Sequence, residues 1–151
     1  MNAHTLFISK DKIDKMIQVL AGQIRRSGRR FDQVVGIERG GLNVSRPLAM
    51  LLELPHDSVY ISCYDKSGKR CIPIIAGNYD EDLVTLVVDD LIDGGTTIQL
   101  FKACYDFKYE DAVAVLFWNT DSPAPHFYIE EKPDQWLTFY WELEQESDYE
   151  N

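Results

Sequence analysis

Two adjacent carboxylates and a glycine-rich turn make the segment from Val87 to Thr97, which reads VVDDLIDGGTT, the most informative part of the chain. Gly94 and Gly95 permit a tight turn and leave space for an anion. The backbone amides from Gly94 to Thr97 would point at that anion from the start of a predicted helix, and the hydroxyls of Thr96 and Thr97 add donors. The segment therefore predicts a monophosphate site, although it lacks the Gly-Lys-Ser/Thr of a Walker A loop.

The acidic pair narrows the kind of phosphate compound. Asp89 and Asp90 follow directly after an apolar strand and would repel a phosphate unless they bind something else. Ribose hydroxyls are donors that suit a carboxylate, and Mg²⁺ is the other candidate. A monophosphate beside two hydroxyls held by carboxylates describes a ribose 5-phosphate.

Composition excludes several other classes of protein. The chain has 151 residues and a net charge of -10, which predict one domain and argue against a nucleic-acid partner or an anionic membrane. No apolar segment approaches the ~20 residues of a membrane span. Three cysteines without C-x-x-C spacing make a disulfide framework or zinc site improbable, so we expect a cytoplasmic protein with reduced thiols.

The order of elements predicts an α/β fold with an open, mostly parallel sheet flanked by helices. Ser9 is the predicted N-cap of a first helix that ends near Ser27. Four arginines lie at or just beyond the end of this helix, at residues 25, 26, 29 and 30, where they complement the helix dipole. Further helices are predicted over Leu42–Leu54 and Thr97–Phe107. The predicted strands are His4–Ile8, Val34–Ile37, Val59–Cys63, Cys71–Ile75, Leu83–Val88 and Ala112–Phe117, with short ones near Phe127–Ile129 and Leu137–Phe139.

Both glycine-bearing turns, after Ile37 and after Val88, follow central strands and so lie at the carboxyl edge, where such sheets bind ligands. The segment from Asp89 to Thr97 resembles the phosphoribosyl pyrophosphate motif of the type I phosphoribosyltransferases. That family implies a Rossmann-like core over about residues 1–117, a small C-terminal hood over about 118–143, and here an acidic tail over 144–151.

Other segments resemble the purine-salvage branch of this family, the hypoxanthine and xanthine-guanine phosphoribosyltransferases. Glu38-Arg39-Gly40-Gly41 resembles the pyrophosphate loop, so Arg39, Gly40 and Gly41 would bind the leaving group. The family often has a cis peptide in this loop, which would fall near Glu38–Arg39. Cys63-Tyr64 and the six residues that follow resemble the mobile loop that closes over the site, which implies a role for Tyr64, Lys66, Lys69 and Arg70.

The C-terminal third resembles the base-binding stretch of the family. Asp134-Gln135-Trp136-Leu137 matches the segment in which an aromatic ring stacks on the purine and the next backbone group reads the base edge. The resemblance thus assigns base binding to Trp136 and Leu137. Glu142, in Tyr140-Trp141-Glu142, matches an acidic residue that helps hold the metal, together with Asp89 and Asp90.

The implied reaction is displacement of pyrophosphate from C1′ of phosphoribosyl pyrophosphate by a purine, with Mg²⁺ as cofactor. The phosphoribosyl group would be bound by Asp89, Asp90, Asp93, Gly94, Gly95, Thr96 and Thr97. Asp93 matches the base that takes the proton from purine N7. The partners would be these small molecules, and the family implies a homodimer or homotetramer.

One departure leaves the substrate open. Purine-salvage enzymes carry a Lys after the last central strand that recognises the 6-oxo group, and here Trp118 stands in its place, with no Lys between Phe117 and Glu131. Either Asn119 or a backbone group reads the base, or the base is not a 6-oxopurine and another nucleobase, including adenine, is transferred. The alternative function is a regulator that binds phosphoribosyl pyrophosphate or a nucleotide without catalysis.

Overall fold

A central five-stranded sheet organises the computed structural model, which describes residues 4–63 and 73–149. The strands are β1 (Thr5–Ile8), β2 (Gln33–Glu38), β3 (His56–Ser62), β4 (Ile74–Ala76), β5 (Thr85–Val88), β6 (Leu91–Ile92), β7 (Ala112–Ala114), β8 (Phe117–Trp118), β9 (Glu130–Glu131) and β10 (Trp136–Phe139). The helices are α1 (Lys10–Arg26), α2 (Leu42–Leu52), α3 (Thr96–Cys104) and α4 (Tyr140–Tyr149). The central sheet has the order β4-β3-β2-β5-β7, in which only β4 is antiparallel.

Both faces of the central sheet are covered, because its strands are apolar on both sides. Val34 of β2 packs into a core formed with α1 and α2, whereas its neighbour Val35 packs into a second core with Phe101 of α3. Side chains alternate between the two faces of a strand, so a continuous apolar run is what a doubly covered parallel sheet requires. The predicted α/β fold is confirmed.

Helix α1 begins where the sequence predicts. The hydroxyl of Ser9 accepts a hydrogen bond from the backbone N–H of Lys12, which satisfies one of the free donors of the first turn. Six apolar residues at three- and four-residue spacing are buried along one face, and Arg25 and Arg26 stand in the last turn.

The segment after β7 differs from the prediction of one strand over Ala112–Phe117. The chain leaves the sheet after Ala114, because the backbone N–H of Leu116 donates to the carbonyl of Asp90, and Phe117 starts β8. β6, β8 and β9 form a separate parallel sheet. All six residues are buried, so the sequence carries no periodicity that would reveal the change of sheet.

Three other segments also differ from the predictions. The predicted loop over Asp89–Thr96 contains the two-residue strand β6. The short strand predicted near Phe127–Ile129 begins directly after that range, as β9, and Phe127 makes an isolated bridge to Ala114. Helix α4 was not predicted and extends into the acidic tail. Within the described residues, the helices are too short or too polar to cross a membrane.

Contact between β2 and α2 depends on the absence of a side chain at Gly36. A Cβ atom there would lie 2.0 Å from Oγ of Ser45 and 2.8 Å from its Cβ. Ser45 is fully buried on α2 and its hydroxyl shares a hydrogen bond of 2.8 Å with Nε2 of His56. This close approach sets the distance between α2 and the central sheet, and with it the position of the turn between β2 and α2.

We expect Gly36→Ala to lower the free energy of unfolding by about 1–3 kcal/mol, because the added methyl group overpacks this contact. Urea denaturation would measure the loss. Gly36→Ala combined with Ser45→Gly should lose less stability than the sum of the two single changes, since the second change restores the space. Strictly additive losses would contradict a direct clash between the two positions.

Candidate phosphoribosyl site

A cavity of about 530 Å³ lies at the carboxyl edge of the central sheet. The turn after β2, the segment after β5 and the exposed ring of Trp136 form its walls. The predicted site residues that line it are Arg39, Asp89, Asp90, Asp93, Gly94, Gly95, Thr96, Thr97 and Trp136. Arg39 and Asp89, about fifty positions apart, meet because β2 and β5 are parallel neighbours that end at the same edge.

The turn after β2 touches the acidic segment after β5 through two glycines. A Cβ atom at Gly40 would lie 2.3 Å from Oδ2 of Asp90, and one at Gly41 would lie 2.4 Å from the carbonyl oxygen of Ile37. Any side chain would therefore displace either Asp90 or the end of β2. Gly40 and Gly41 do not line the cavity themselves, but they let the turn pack against its floor.

The peptide bond between Glu38 and Arg39 is cis, as predicted for this loop. Glu38 and Arg39 both line the cavity, so this turn contributes a cationic residue to its wall. A guanidinium with planar, paired donors suits the oxygens of a phosphate group.

Helix α3 begins at the cavity without a side-chain cap. Gly95 is the N-cap residue, has a positive φ of 84° and accepts at its carbonyl from the N–H of Gln99. The first turn contains no acidic residue, and Thr96 and Thr97 line the cavity. Amides of a first turn have no acceptor within their own helix, so this end can bind a phosphate group.

Of the acidic pair at the end of β5, Asp89 is buried and Asp90 is partly buried. Asp89 is 8% exposed, and its Oδ1 accepts a hydrogen bond of 2.9 Å from the backbone N–H of Asp90. Burial, followed by the charge of Asp90, raises the pKa of Asp89 well above its ordinary value, and burial also raises the pKa of Asp90. Ion pairs within the described residues involve neither carboxylate.

A buried and a partly buried carboxylate that form no ion pair among the described residues fit a hard cation or hydroxyl donors. Mg²⁺ commonly binds one or two carboxylates and takes its other ligands from water and substrate phosphates. Over residues 4–63 and 73–149, no three His, Cys, Asp or Glu side chains come together as a metal site. Asp89 and Asp90 would therefore hold Mg²⁺ jointly with substrate oxygens.

Asp93 is an exposed carboxylate at the start of the phosphate turn. Its Oδ1 accepts a hydrogen bond of 3.2 Å from the side-chain amide of Asn119. The other end of that amide is fixed, because Oδ1 of Asn119 accepts from the backbone N–H of Asp121 at 3.1 Å. Asn119 thus presents a donor to Asp93 and orients its carboxylate.

Trp118 and Asn119, near the position where purine-salvage enzymes have a Lys, contact other groups of the protein. The indole N–H of Trp118 donates to the carbonyl of Ser122, and its ring packs edge-on against Tyr128 with centroids 5.0 Å apart. Trp118 does not line the cavity, so it cannot replace a base-reading Lys there. Sequence reasoning named Asn119 as a possible reader of the base but missed its bond to Asp93, which spacing in the chain does not reveal.

The residues near the C-terminus that were predicted to bind the base and the metal do not all lie at the cavity. Trp136 is 66% exposed and faces the cavity, whereas its neighbour Leu137 is buried in the core. Glu142 lies outside the cavity lining, and its Oε2 accepts from the backbone N–H of Phe139 at 2.7 Å, at the start of α4. Such a bond from the third helical residue back to the N-cap position stabilises a helix start.

The predicted mobile-loop residues Tyr64, Lys66, Lys69 and Arg70 lie outside the described residues. Cys63, just before them, lines the cavity and is disulfide-bonded, whereas Cys104 is free and exposed. The expectation of reduced thiols is therefore wrong for Cys63. An odd cysteine count argues against a framework of several bridges, but it does not exclude one pair.

The doubly covered parallel sheet with this cavity at its carboxyl edge has the architecture of the type I phosphoribosyltransferases. The family model for the phosphoribosyl transferase domain matches residues 9–105, which are more than half of the chain. The chain therefore belongs to the phosphoribosyl transferase domain family, and the resemblance read from the sequence is confirmed.

Solved structures with the same fold cover nearly the whole chain. A purine phosphoribosyltransferase from Pyrococcus horikoshii is 22% identical, with a TM-score of 0.79 over 91% of this chain and 94% of that one. A xanthine-guanine-hypoxanthine phosphoribosyltransferase from Helicobacter pylori is 20% identical, with a TM-score of 0.79 over 98% and 100%. A hypothetical protein from Neisseria gonorrhoeae with bound ppGpp is 23% identical, with a TM-score of 0.70 over 100% and 99%.

We expect Asp89→Asn to stabilise the protein in the absence of ligand and divalent metal. A carboxyl group whose pKa is raised on folding destabilises the folded state once it is ionised, and this cost is absent at a pH below its ordinary pKa. The variant should therefore gain on the order of 1 kcal/mol at about pH 7, and the gain should shrink toward about pH 4.

Thermal or urea unfolding at several pH values, with a chelator present, would measure this change. Asp82→Asn is the matched control, because Asp82 is an exposed carboxylate outside the cavity. A stability gain of equal size in both variants, or one that grows as the pH falls, would count against a destabilising charge at Asp89.

Proposed function

We propose that this chain transfers ribose 5-phosphate from phosphoribosyl pyrophosphate to a purine base and releases pyrophosphate. The observation that carries the proposal is the grouping of an uncapped helix start, an acidic pair and the Arg39 turn in one cavity. These three parts match the three charged or hydroxyl-bearing parts of that substrate, the 5′-phosphate, the ribose and the pyrophosphate.

Each part of the substrate has a natural place in this arrangement. The 5′-phosphate binds the free amides of Gly95, Thr96 and Thr97 and the two threonine hydroxyls. The ribose hydroxyls donate to Asp89 and Asp90, and the pyrophosphate extends toward Arg39. The purine lies against the exposed ring of Trp136, with its ring edge toward the backbone around Leu137.

In the reaction, the bond from C1′ to the pyrophosphate oxygen breaks and a bond from C1′ to a purine ring nitrogen forms. Asp89 and Asp90 would hold Mg²⁺ together with substrate oxygens, and this ion would supply neutralisation of charge on the leaving pyrophosphate. The carboxylates of Asp89 and Asp90 favour the positive charge that develops on the sugar. Asp93 accepts the proton from purine N7 on a carboxylate that Asn119 orients.

A product assay tests the reaction class. The purified chain is incubated with phosphoribosyl pyrophosphate, Mg²⁺ and a mixture of hypoxanthine, guanine, xanthine and adenine, and any nucleotide is identified by mass. We expect one purine nucleotide and an equal amount of pyrophosphate. Absence of any nucleotide, while phosphoribosyl pyrophosphate still binds, would overturn the enzymatic proposal.

A regulator that binds nucleotides without catalysis is the second candidate. It is favoured by the Neisseria gonorrhoeae protein, which has bound ppGpp and matches this chain over its entire length. The absence of a Lys from residues 118–130 favours it as well, because a 6-oxopurine then lacks its usual donor. Tight binding of ppGpp combined with an empty product assay would support this function over the first.

We expect Asp93→Asn to lower kcat by about 10²–10⁴-fold while the affinity for phosphoribosyl pyrophosphate stays near that of the unchanged protein. Asn has the same shape and can still accept from Asn119, but it cannot take a proton at neutral pH. Steady-state kinetics and equilibrium binding would separate the two effects. Asp121→Asn, an exposed change close to Asn119, should leave both quantities unaltered, and an active Asp93→Asn variant would remove Asp93 from the base role.

We expect Trp136→Ala to raise KM for the base by on the order of tenfold, because stacking of a base on an aromatic ring contributes about 1–3 kcal/mol. KM for phosphoribosyl pyrophosphate should change little, and Trp136→Phe should retain most of the affinity for the base. Phe7→Ala is the control, since Phe7 is also about half exposed but lies outside the cavity. Equal rises in KM for both substrates would indicate a distorted site instead of lost stacking.

A further inference from the structure

A second cavity, of about 760 Å³, opens at the other end of the central sheet. It lies where β2 and β7 begin, so it is separated by the length of the strands from the cavity at their carboxyl ends. Four of its lining side chains are cationic, namely Arg29, Arg30, Lys102 and Lys108, and Glu110 is its acidic member. This concentration of positive charge stands out in a chain with a net charge of -10.

Three of the four cations have no acidic partner within the described residues. Lys108 pairs with Asp111 at 3.4 Å, but ion pairs in that part of the chain do not include Arg29, Arg30 or Lys102. Arg29 and Arg30 lie beyond the end of α1, so the helix dipole that accounts for Arg25 and Arg26 does not account for them. Their mutual repulsion would be relieved by a bound anion.

Several of these groups are held in place by the protein. One Nη of Arg29 donates to the carbonyls of Glu110 and Asp111 at 3.3 and 3.2 Å. Nζ of Lys102 lies 4.6 Å from the ring centroid of Phe107. A preorganised cation loses less entropy when it binds an anion than a freely moving one does.

The cavity also offers aromatic surface and a neutral donor. Tyr109 is 96% exposed at its rim, and the ring of Phe107 lines its wall. Nδ1 of His126 accepts from the backbone N–H of Val113 at 3.0 Å, so the neutral ring carries its proton on Nε2. Burial, then the charges of Arg29 and Lys102, lower the pKa of His126, which keeps the ring neutral near pH 7.

We propose that this basic cavity is a second ligand site that binds a nucleoside di- or triphosphate. Arg30 and Lys102 bind the phosphate groups, with Arg29 beside them, and the base stacks on the exposed ring of Tyr109. A group of cations, three of them without an acidic partner in the described residues, and one exposed aromatic ring fit a small ligand that carries both a polyphosphate and a planar base. A nucleic acid fits less well, because the rest of the surface is acidic.

The test is an NMR titration of the isotope-labelled full chain with ATP at about 0.15 M salt. We expect saturable shifts of the amides of residue 102 and residues 107–110. Arg30→Gln combined with Lys102→Gln should weaken this binding by about tenfold or more. Lys15→Gln combined with Arg26→Gln removes the same charge from exposed positions outside the cavity and should leave the affinity unchanged.

A second comparison tests the nucleoside part of the proposal. Tyr109→Ala should weaken the binding of ATP and leave the binding of inorganic tripolyphosphate unaltered, because only ATP has a base to stack. Equal affinity for the two compounds, with no effect of Tyr109→Ala, would overturn the assignment to nucleotides.

Two results would overturn the site itself. One is a set of shifts confined to residues 93–97, which would place ATP in the cavity at the carboxyl edge. The other is an equal loss of affinity in both charge-removing variants, which would indicate attraction by overall charge. Neither readout depends on turnover, so the result is independent of whether the chain transfers a phosphoribosyl group.

Discussion

The carboxylates of Asp89 and Asp90 are the constraint on which the candidate site depends. Side by side at the end of a fully buried strand, both have a pKa raised by burial, the charge of Asp90 raises the pKa of Asp89 further, and ion pairs among the described residues involve neither. Ribose hydroxyls or a bound Mg²⁺ would supply the partners that these carboxylates lack within the described residues. A protein that keeps such a pair gives up stability in the empty state and regains it on binding.

The rest of the fold serves to place donors around this pair. The parallel register of β2 and β5 sets the Arg39 turn beside it, and the missing side chain of Gly40 lets that turn pack against Asp90. The backbone N–H groups of Leu116 and Phe117 hold the carbonyl of Asp90 from the other side. The acidic segment is thus fixed from two directions, which is the preorganisation that electrostatic catalysis requires.

The sequence predicted this arrangement where a local pattern has one physical meaning. The spacing of apolar residues and Ser9 predicted α1, the apolar runs predicted β2 and β5, and the glycine-rich turn predicted the uncapped start of α3. The predictions from the sequence failed where tertiary contacts determine the local structure. The change of sheet after Ala114 depends on hydrogen bonds to the carbonyl of Asp90, and an unbroken apolar run does not predict it.

The same distinction applies within the site. The motif predicted which residues after β5 line the cavity, but the orientation of Asp93 depends on Asn119, whose amide is itself oriented by the backbone of Asp121. That bond could be found only in three dimensions, since the two residues lie 26 positions apart. Likewise, Trp136 and Leu137 are adjacent in the strand β10, and its alternation sends one ring to the cavity and the other side chain to the core.

The replacement of a Lys by Trp118 and Asn119 bears on the chemistry as well as on specificity. The neutral side-chain amide of Asn119 orients the carboxylate of Asp93 through a hydrogen bond of 3.2 Å. Trp118 packs against Tyr128 and donates to the carbonyl of Ser122, so its side chain lies outside the cavity lining. A base in the cavity would then meet no charged side chain from this position, and backbone carbonyls and amides would discriminate between bases by hydrogen-bond geometry.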